Sequence, residues 1–213
     1  GTAGMTNRTR FSIGAWINPT TLLAATTYSV ISNRTAGNAG FGIYIDSCSG
    51  IDPNVICDLN FTIQGVASYS ATDVIRKEWQ HIEAVFSGSQ VKLYRNGTLV
   101  HTASTGSMTT GTNLLLGRTG NSTNYFIGSM DEVRIYDRLF SDDEVSQLYR
   151  LAVPTGVDTS LKGYWSFNGQ DLSGTTAYDR SGSGNTGTLT SGPTITEGKI
   201  GQALQFDGTN DLV

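Results

Sequence analysis

Acid–base chemistry in this chain has few places to start. Its two histidines, His81 and His101, are the only side chains whose unperturbed pKa lies near neutrality. In WQHIEAVF (79–86) His81 alternates with Trp79 and Glu83. A strand would therefore set the three on one face, and a structural, hydrogen-bonded His81 is the expectation. His101 follows a hairpin turn. A Ser/His/Asp triad needs a presented nucleophile, and the chain has no Gly-x-Ser-x-Gly elbow. The acidic run Ser141-Asp142-Asp143-Glu144 reads as a helix start, with Ser141 as N-cap and Glu144 completing a capping box. Cys48 and Cys57 flank a Pro53-Asn54 reversal, which favours a local disulfide across a loop over two reduced thiols; no His stands nearby for a metal site. Five Asn-x-Ser/Thr sequons, at Asn7, Asn33, Asn60, Asn96 and Asn121, are candidate glycosylation sites. With the cysteine pair they point to an extracellular or cell-surface setting.

The chain that must position these groups has 213 residues, enough for one large domain or two small ones. Gly is abundant at 26 residues and charged residues are only 15%, which excludes a helical bundle and suggests many short strands joined by small polar turns. No apolar run is long enough for a membrane-spanning helix, so no membrane insertion is expected. Net charge is −4 and no Lys/Arg cluster occurs, so no nucleic-acid partner is expected. Gly1, with no Met or signal peptide before it, reads as a processed or chosen boundary.

Period-two alternation marks FSIGAWINP (11–19) as a strand, with Phe11, Ile13, Ala15 and Ile17 on one face. Further strands are expected at YSVISN, FGIYID, LNFTIQ, 79–86 and 90–95. Asn96-Gly97 then makes a type I′ turn into Leu99–Thr102. NLLLG and FIGSMDEVRIYDRLF continue the pattern, the latter with Val133 and Ile135 on one face and Arg134 and Tyr136 on the other. One short helix is expected near 141–150, then a linker at 151–160. The strand pattern resumes at 161–213 in LKGYWSFN, GTTAYDRSGSGNTGTLT and QALQFDGTNDLV, a stretch too short to bury a core alone.

In combination, FSIGAWINPT, WQHIEAVFSGSQVKLYRNGTLV, LLLGRTG and FIGSMDEVRIYDRLFSDDEVSQLY resemble, in order, the laminin G-like group of the concanavalin A-like lectin/glucanase superfamily. The resemblance implies an all-β, two-sheet antiparallel jelly-roll sandwich. It also places the family's opening strands, here GYWSFNG, TTAYDRSGSGNTGTL and GKIGQALQFDGTNDLV, at the C-terminal end. Residues 1–150 then form a body lacking its first strands, and 161–213 are those strands, with Trp165, Phe167, Leu204 and Phe206 as the assembly residues. Three arrangements follow: a tail donated head-to-tail to a neighbouring copy, which we favour; a tail folded back on its own body; or a piece of a tandem array. Superfamily glucanases carry Glu-x-Asp-x-x-Glu on a strand, a pattern absent here, so the chain is expected not to be an enzyme. Relatives often hold Ca²⁺ where the opening strand meets the penultimate one; Asp131, Asp179 and Asn168 match that position, the last standing where relatives commonly have Asp. Glycan binding is the usual expectation of the fold, with Tyr28, Tyr44, Tyr69 and Tyr125 as candidates, while Trp16, Trp79 and Trp165 match core positions. A structural or adhesive filament subunit is the leading expectation, and a self-contained, circularly permuted glycan-binding domain the alternative.

Overall fold

Strands with one apolar face must bury that face, and the solution here is a β-sandwich. The computed structural model describes residues 10–34, 39–63, 67–108, 111, 113–120, 124–151 and 158–213. The body contains β1 (Phe11–Pro19), β2 (Tyr28–Ser32), β3 (Phe41–Ser49), β4 (Ile56–Ile63), β5 (Ala67–Ile75), β6 (Gln80–Phe86), β7 (Gln90–Arg95), β8 (Thr98–Ser104), β9 (Leu115–Leu116) and β10 (Ile127–Tyr136), then α1 (Asp142–Leu151). The tail adds β11 (Leu161–Trp165), β12 (Leu172–Ser173), β13 (Thr176–Ala177), β14 (Gly187–Thr188), β15 (Thr194–Glu197) and β16 (Gln202–Asp207). The larger sheet has the order β15-β16-β10-β1-β6-β7-β8, with β11 also on β10; the second is five-stranded, β5-β4-β3-β2-β9; β12-β13-β14 form a small third.

The core lies between the two main sheets. Phe11, Ile13, Ala15 and Ile17 of β1 face Phe41, Ile43, Leu59 and Phe61 from the other layer, all at most 1% exposed. Their rings form a chain, Phe11–Phe41 at 4.8 Å and Phe41–Phe61 at 5.7 Å between centroids. Asn96 and Gly97 adopt the positive φ values of 50° and 75° that a type I′ turn requires. The capping box forms as read: Glu144 Oε2 accepts from Ser141 N–H and Ser141 Oγ accepts from Glu144 N–H. Cys48 and Cys57 are disulfide-bonded.

Two readings need correction. ASYSATDVI, which the alternation pattern leaves unassigned, is β5, the edge of the five-stranded sheet. Its outward residues are Ser and Thr, and Asp73 has φ of 56°, so the apolar alternation is broken. Trp79 is half-buried and outside the core, and Trp16, though 3% exposed, lies on the outer face beneath Tyr149 at 5.4 Å. Trp165 is in the core.

One edge of β10 pairs with β1. Its other edge takes β16 along Ile127–Met130 and β11 along Val133–Tyr136. Both belong to the same chain here, and Trp165, Phe167, Leu204 and Phe206 all enter the main core. Arg138, just past β10, pairs with both Glu144 of α1 and Asp158, three residues before β11.

Candidate functional site

The groups best suited to chemistry are sealed. On the outer face of the larger sheet, cross-strand register sets Asp131 beside Trp16 and Trp16 beside His81, and in the next row Arg134 beside Gly14 and Gly14 beside Glu83. The amphipathic α1 covers this face, burying Val145 and Leu148 against Val85, Tyr94 and Tyr136. His81, Glu83, Asp131, Glu132 and Arg134 are each at most 2% exposed. Burial, helped by the Arg134 charge, pushes His81 down to about 3, so it is a neutral imidazole at pH 7. Burial holds Glu83 well above the usual carboxylate range, against the opposing pull of Arg134. His81 Nε2 and Glu83 Oε2 are 3.9 Å apart, and the Tyr149 ring lies 6.5 Å from the imidazole. A substrate cannot reach this pair, so it does not form a working acid–base couple.

A bulge at Glu132, with φ of 54°, sets two successive acids, Asp131 and Glu132, on this covered outer face. Glu132 pairs with Arg134 and accepts from Tyr164 OH at 3.0 Å, and the Arg134 guanidinium stacks 4.6 Å over the Tyr164 ring. This cluster clamps β11 to β10. Asp131 Oδ2 accepts from Ile200 N–H at 2.9 Å, while Oδ1 is buried without a hydrogen-bond partner. Burial pushes Asp131 up to about 7, the adjacent Glu132 adding to the rise.

Asp131, Asn168 and Asp179 do not fit a shared Ca²⁺ site. Asn168 Oδ1 accepts from Gln202 N–H at 2.9 Å, so Asn168 and Asp131 meet the same 198–202 loop. Asp179 lies beyond the opposite edge of β11, where Tyr164, Ser181 and Asn185 N–H groups and the Ser181 hydroxyl occupy its carboxylate. Ca²⁺ needs about six to eight oxygens turned inward, whereas Asp131 Oδ2, Asn168 Oδ1 and both Asp179 oxygens accept from N–H donors, and Asp131 and Asp179 lie on opposite sides of β11. Among the described residues no three His, Cys, Asp or Glu side chains gather as a metal-binding group.

Two sequons are corrected. Asn33 is fully buried and accepts from Phe41 N–H, and Asn60 is 2% exposed in the middle of β4, so neither has room for a glycan. Asn96 is half-buried in its turn, its Oδ1 accepting from His81 N–H. Asn7 and Asn121 lie outside the described residues.

The outer face of the five-stranded sheet has a different character. Register aligns Ser29, Tyr44, Asn60 and Ser70 across four strands. Asn60 Nδ2 donates to Asp46 at 2.6 Å, and its Oδ1 accepts from Ser68 at 3.0 Å and from Ser70. Arg34 donates to Tyr44 OH at 3.0 Å. The Tyr44 ring lies so close over Gly42 that a Cβ there would sit 2.3 Å from it. Around this fixed floor stand the more accessible Asp46, Asp58, Thr62, Ser68 and Ser70. Burial raises the Asp46 carboxyl above its ordinary value, the facing Asp58 adding to the effect while Ser47 and Asn60 oppose it. Of the other tyrosines, Tyr28 is core, Tyr69 packs against the core, and Tyr125 pairs with Arg118 at 5.8 Å. Sequence reasoning names Tyr44 as a glycan candidate and Asn60 as a sequon, but does not connect either with Asp46, Ser68 and Ser70. The signal was there: Cys57, Leu59, Phe61 and Ile63 alternate inward, leaving Asp58, Asn60 and Thr62 outward.

No curated protein sequence matches the chain. Among solved structures, a candidate carbohydrate-binding protein from Bacteroides ovatus superposes with a TM-score of 0.65 at 18% identity, over 94% of this chain and 54% of that one. This chain thus spans about half the length of that protein, and the likeness extends into the tail. The CBM40 domain of a Ruminococcus gnavus sialidase, solved with α2,3-sialyllactose, gives 0.53 at 19% identity over 66% of this chain and 82% of that one. A pentraxin from Limulus polyphemus gives 0.51 at 15% identity over 66% and 69%. These likenesses establish a shared fold. Among the described residues no helix is long and apolar enough to cross a membrane. The model of a family described as the concanavalin A-like lectin/glucanases superfamily matches residues 2–146, and with the sandwich described above the chain belongs to that superfamily.

Proposed function

We propose that this chain is a non-catalytic carbohydrate-binding domain acting at or outside the cell surface, its glycan lying on the outer face of the five-stranded sheet. The observation that carries this is the cross-strand network of Tyr44, Asn60, Ser68, Ser70 and Asp46. Buried Asn60 holds the accessible Ser68 and Ser70 hydroxyls and the Asp46 carboxylate at strand spacing, the kind of array that pairs with vicinal sugar hydroxyls. Superfamily membership supports it, as does the sialyllactose held by the R. gnavus domain. The sealing of His81 and Glu83 supports the non-catalytic half. The test is a glycan array with this chain and with Ser68→Arg, which fills the exposed face from a residue outside the core. Retention of a glycan that the variant loses, with unchanged circular dichroism, is expected. Absence of any retained glycan overturns the reading.

A second reading, a filament joined by exchanged strands, is favoured by one observation: among the described residues, β11 and β16 of the tail fill the second edge of β10. A neighbour's tail would dock in the same register. Light scattering separates the two. A mass fixed at 22.7 kDa supports the self-contained domain, and concentration-dependent growth supports exchange.

A further inference from the structure

A polar cavity of about 370 Å³ opens where the loop before β4, the β5–β6 turn and the end of β7 meet. Pro53, Asn54 and Ile56 line it from the loop and the start of β4, Arg76, Lys77 and Glu78 from the turn, and Arg95 from β7. None of them belongs to the Tyr44–Asn60 face. We propose that this cavity is a second binding site and that it takes one carboxylate-bearing sugar ring, held through Arg76.

The charges select the ligand. Lys77 Nζ pairs with Asp52 at 2.7 Å, and Arg95 pairs with Glu78. Among the described residues Arg76 meets no carboxylate. Its Nη1 donates to the carbonyls of Asp73 at 2.9 Å and Ile75 at 3.3 Å, and its Nε and Nη2 have no acceptor there. One positive charge is therefore left over, and it matches a monoanion. Tying Nη1 to the main chain fixes the guanidinium plane. The Nε–Nη2 edge then offers two parallel donors to the two coplanar oxygens of a carboxylate. A phosphate dianion would exceed the charge available, with Glu78 on the lining to repel it.

The cavity is preorganised on both sides. Gln80, fully buried, donates to the Arg76 carbonyl at 2.6 Å, and its Oε1 accepts from Arg95 Nε at 2.8 Å. The facing loop is closed by the Cys48–Cys57 disulfide and by the Asn54 N–H bond to Ile51 O at 2.8 Å. Gly50 permits that closure, since at φ of 94° a Cβ would sit 2.7 Å from Asn54 O. The Lys77–Asp52 pair joins loop to turn. A ligand thus meets a shape already made, with little left to order.

Size and lining point to a sugar acid. At ~30 Å³ per water the cavity equals roughly twelve waters, within the roughly 300–1,000 Å³ of small-ligand sites. Pro53 and Ile56 offer apolar surface to ring C–H groups. The exposed side chains of Asn54 and Glu78 offer an amide and an acceptor to ring hydroxyls.

The proposal goes beyond the sheet-face reading and does not depend on it. The experiment is calorimetric titration of the intact chain with glucuronate and galacturonate, with methyl glucoside as the neutral control and methyl sulfate as the tetrahedral monoanion, each at up to ~10 mM. Wild type is compared with Arg76→Gln, Asn54→Asp and Ser68→Arg, with circular dichroism as the fold control. Arg76→Gln removes the charge. Asn54→Asp adds a competing carboxylate at an exposed position, so it remains decisive if Arg76→Gln disturbs the turn. At least one uronate should bind, about tenfold or more weaker in Arg76→Gln and Asn54→Asp and unchanged in Ser68→Arg. Methyl glucoside and methyl sulfate should bind at least about tenfold more weakly than that uronate. Uronate binding that survives both cavity variants overturns the proposal, and its loss in Ser68→Arg then places the ligand on the sheet face. Methyl glucoside binding as tightly as the uronate overturns the role of charge, and methyl sulfate binding as tightly overturns the carboxylate class. No uronate binding overturns the proposal outright and leaves the sheet-face reading to its own glycan array.

Discussion

Replacing Asp131 by Asn should stabilise the fold more as pH rises. Asp131 is fully buried where the 198–202 loop meets β10, and its folded pKa is raised from 3.8 to about 7. The folded state thus holds a proton that the unfolded state releases from about pH 4 upward. Stability from this group is full below about pH 4 and is lost as pH rises to about 7. The shift is about 3 units, and at about 1.4 kcal/mol per unit it reaches up to about 4 kcal/mol above pH 7. Asn has the same shape, keeps an acceptor for Ile200 N–H and carries no charge. His81 titrates with the opposite sign, its pKa depressed in the fold, so its contribution rises with pH between about 3 and 6.5. It does so in both proteins and cancels in their difference. Urea denaturation of wild type and Asp131→Asn at several pH values from 4 to 8 gives that difference directly. It should be near its minimum at the acid end, grow in favour of Asn through neutrality, and level off. Parallel stability profiles would refute the assignment of a buried, reluctant carboxylate. A variant that loses ground as pH rises would show instead that the anion is stabilised in the fold.

Three further outcomes are expected. Phe206→Asp places a charge at a fully buried core position, costing more than the roughly 3–5 kcal/mol of a Phe deletion; the isolated chain should lose its cooperative unfolding transition, and a folded monomer that merely fails to associate would contradict self-completion. Replacing Cys48 and Cys57 together by Ala opens a loop of sequence separation 9; the loop-entropy model gives a loss of about 2–3 kcal/mol, measured by denaturation under non-reducing conditions. A calcium chelator should leave the melting temperature unchanged, because Asp131 and Asp179 lie on opposite sides of β11 and cannot share an ion; a chelator-dependent drop, reversed by Ca²⁺, would overturn the structural reading of Asp131, Asn168 and Asp179.

Much of this protein follows from short-range pattern. Alternation set the strands of the core, Asn96-Gly97 set a hairpin, Ser141 and Glu144 set the start of α1, and the spacing of Cys48 and Cys57 fitted a loop disulfide. Each rests on neighbours within a turn or a strand, so the amino-acid order suffices. The motifs of 161–213 likewise marked strands, and β11 and β16 pair with β10. Only the tertiary structure decided what each outward face meets. His81 and Glu83 share a strand face in any reading, but whether that face is a site or a seal depends on α1, which packs over it from some sixty residues away. Asp131 and Asp179 look alike in sequence, yet β11 stands between them. Asn60 reads as a sequon until β3 and β5 close on either side and bury it. Burial and cross-strand neighbours are long-range properties of a sandwich. They are fixed when the sheets pack, and no window along the chain contains both partners.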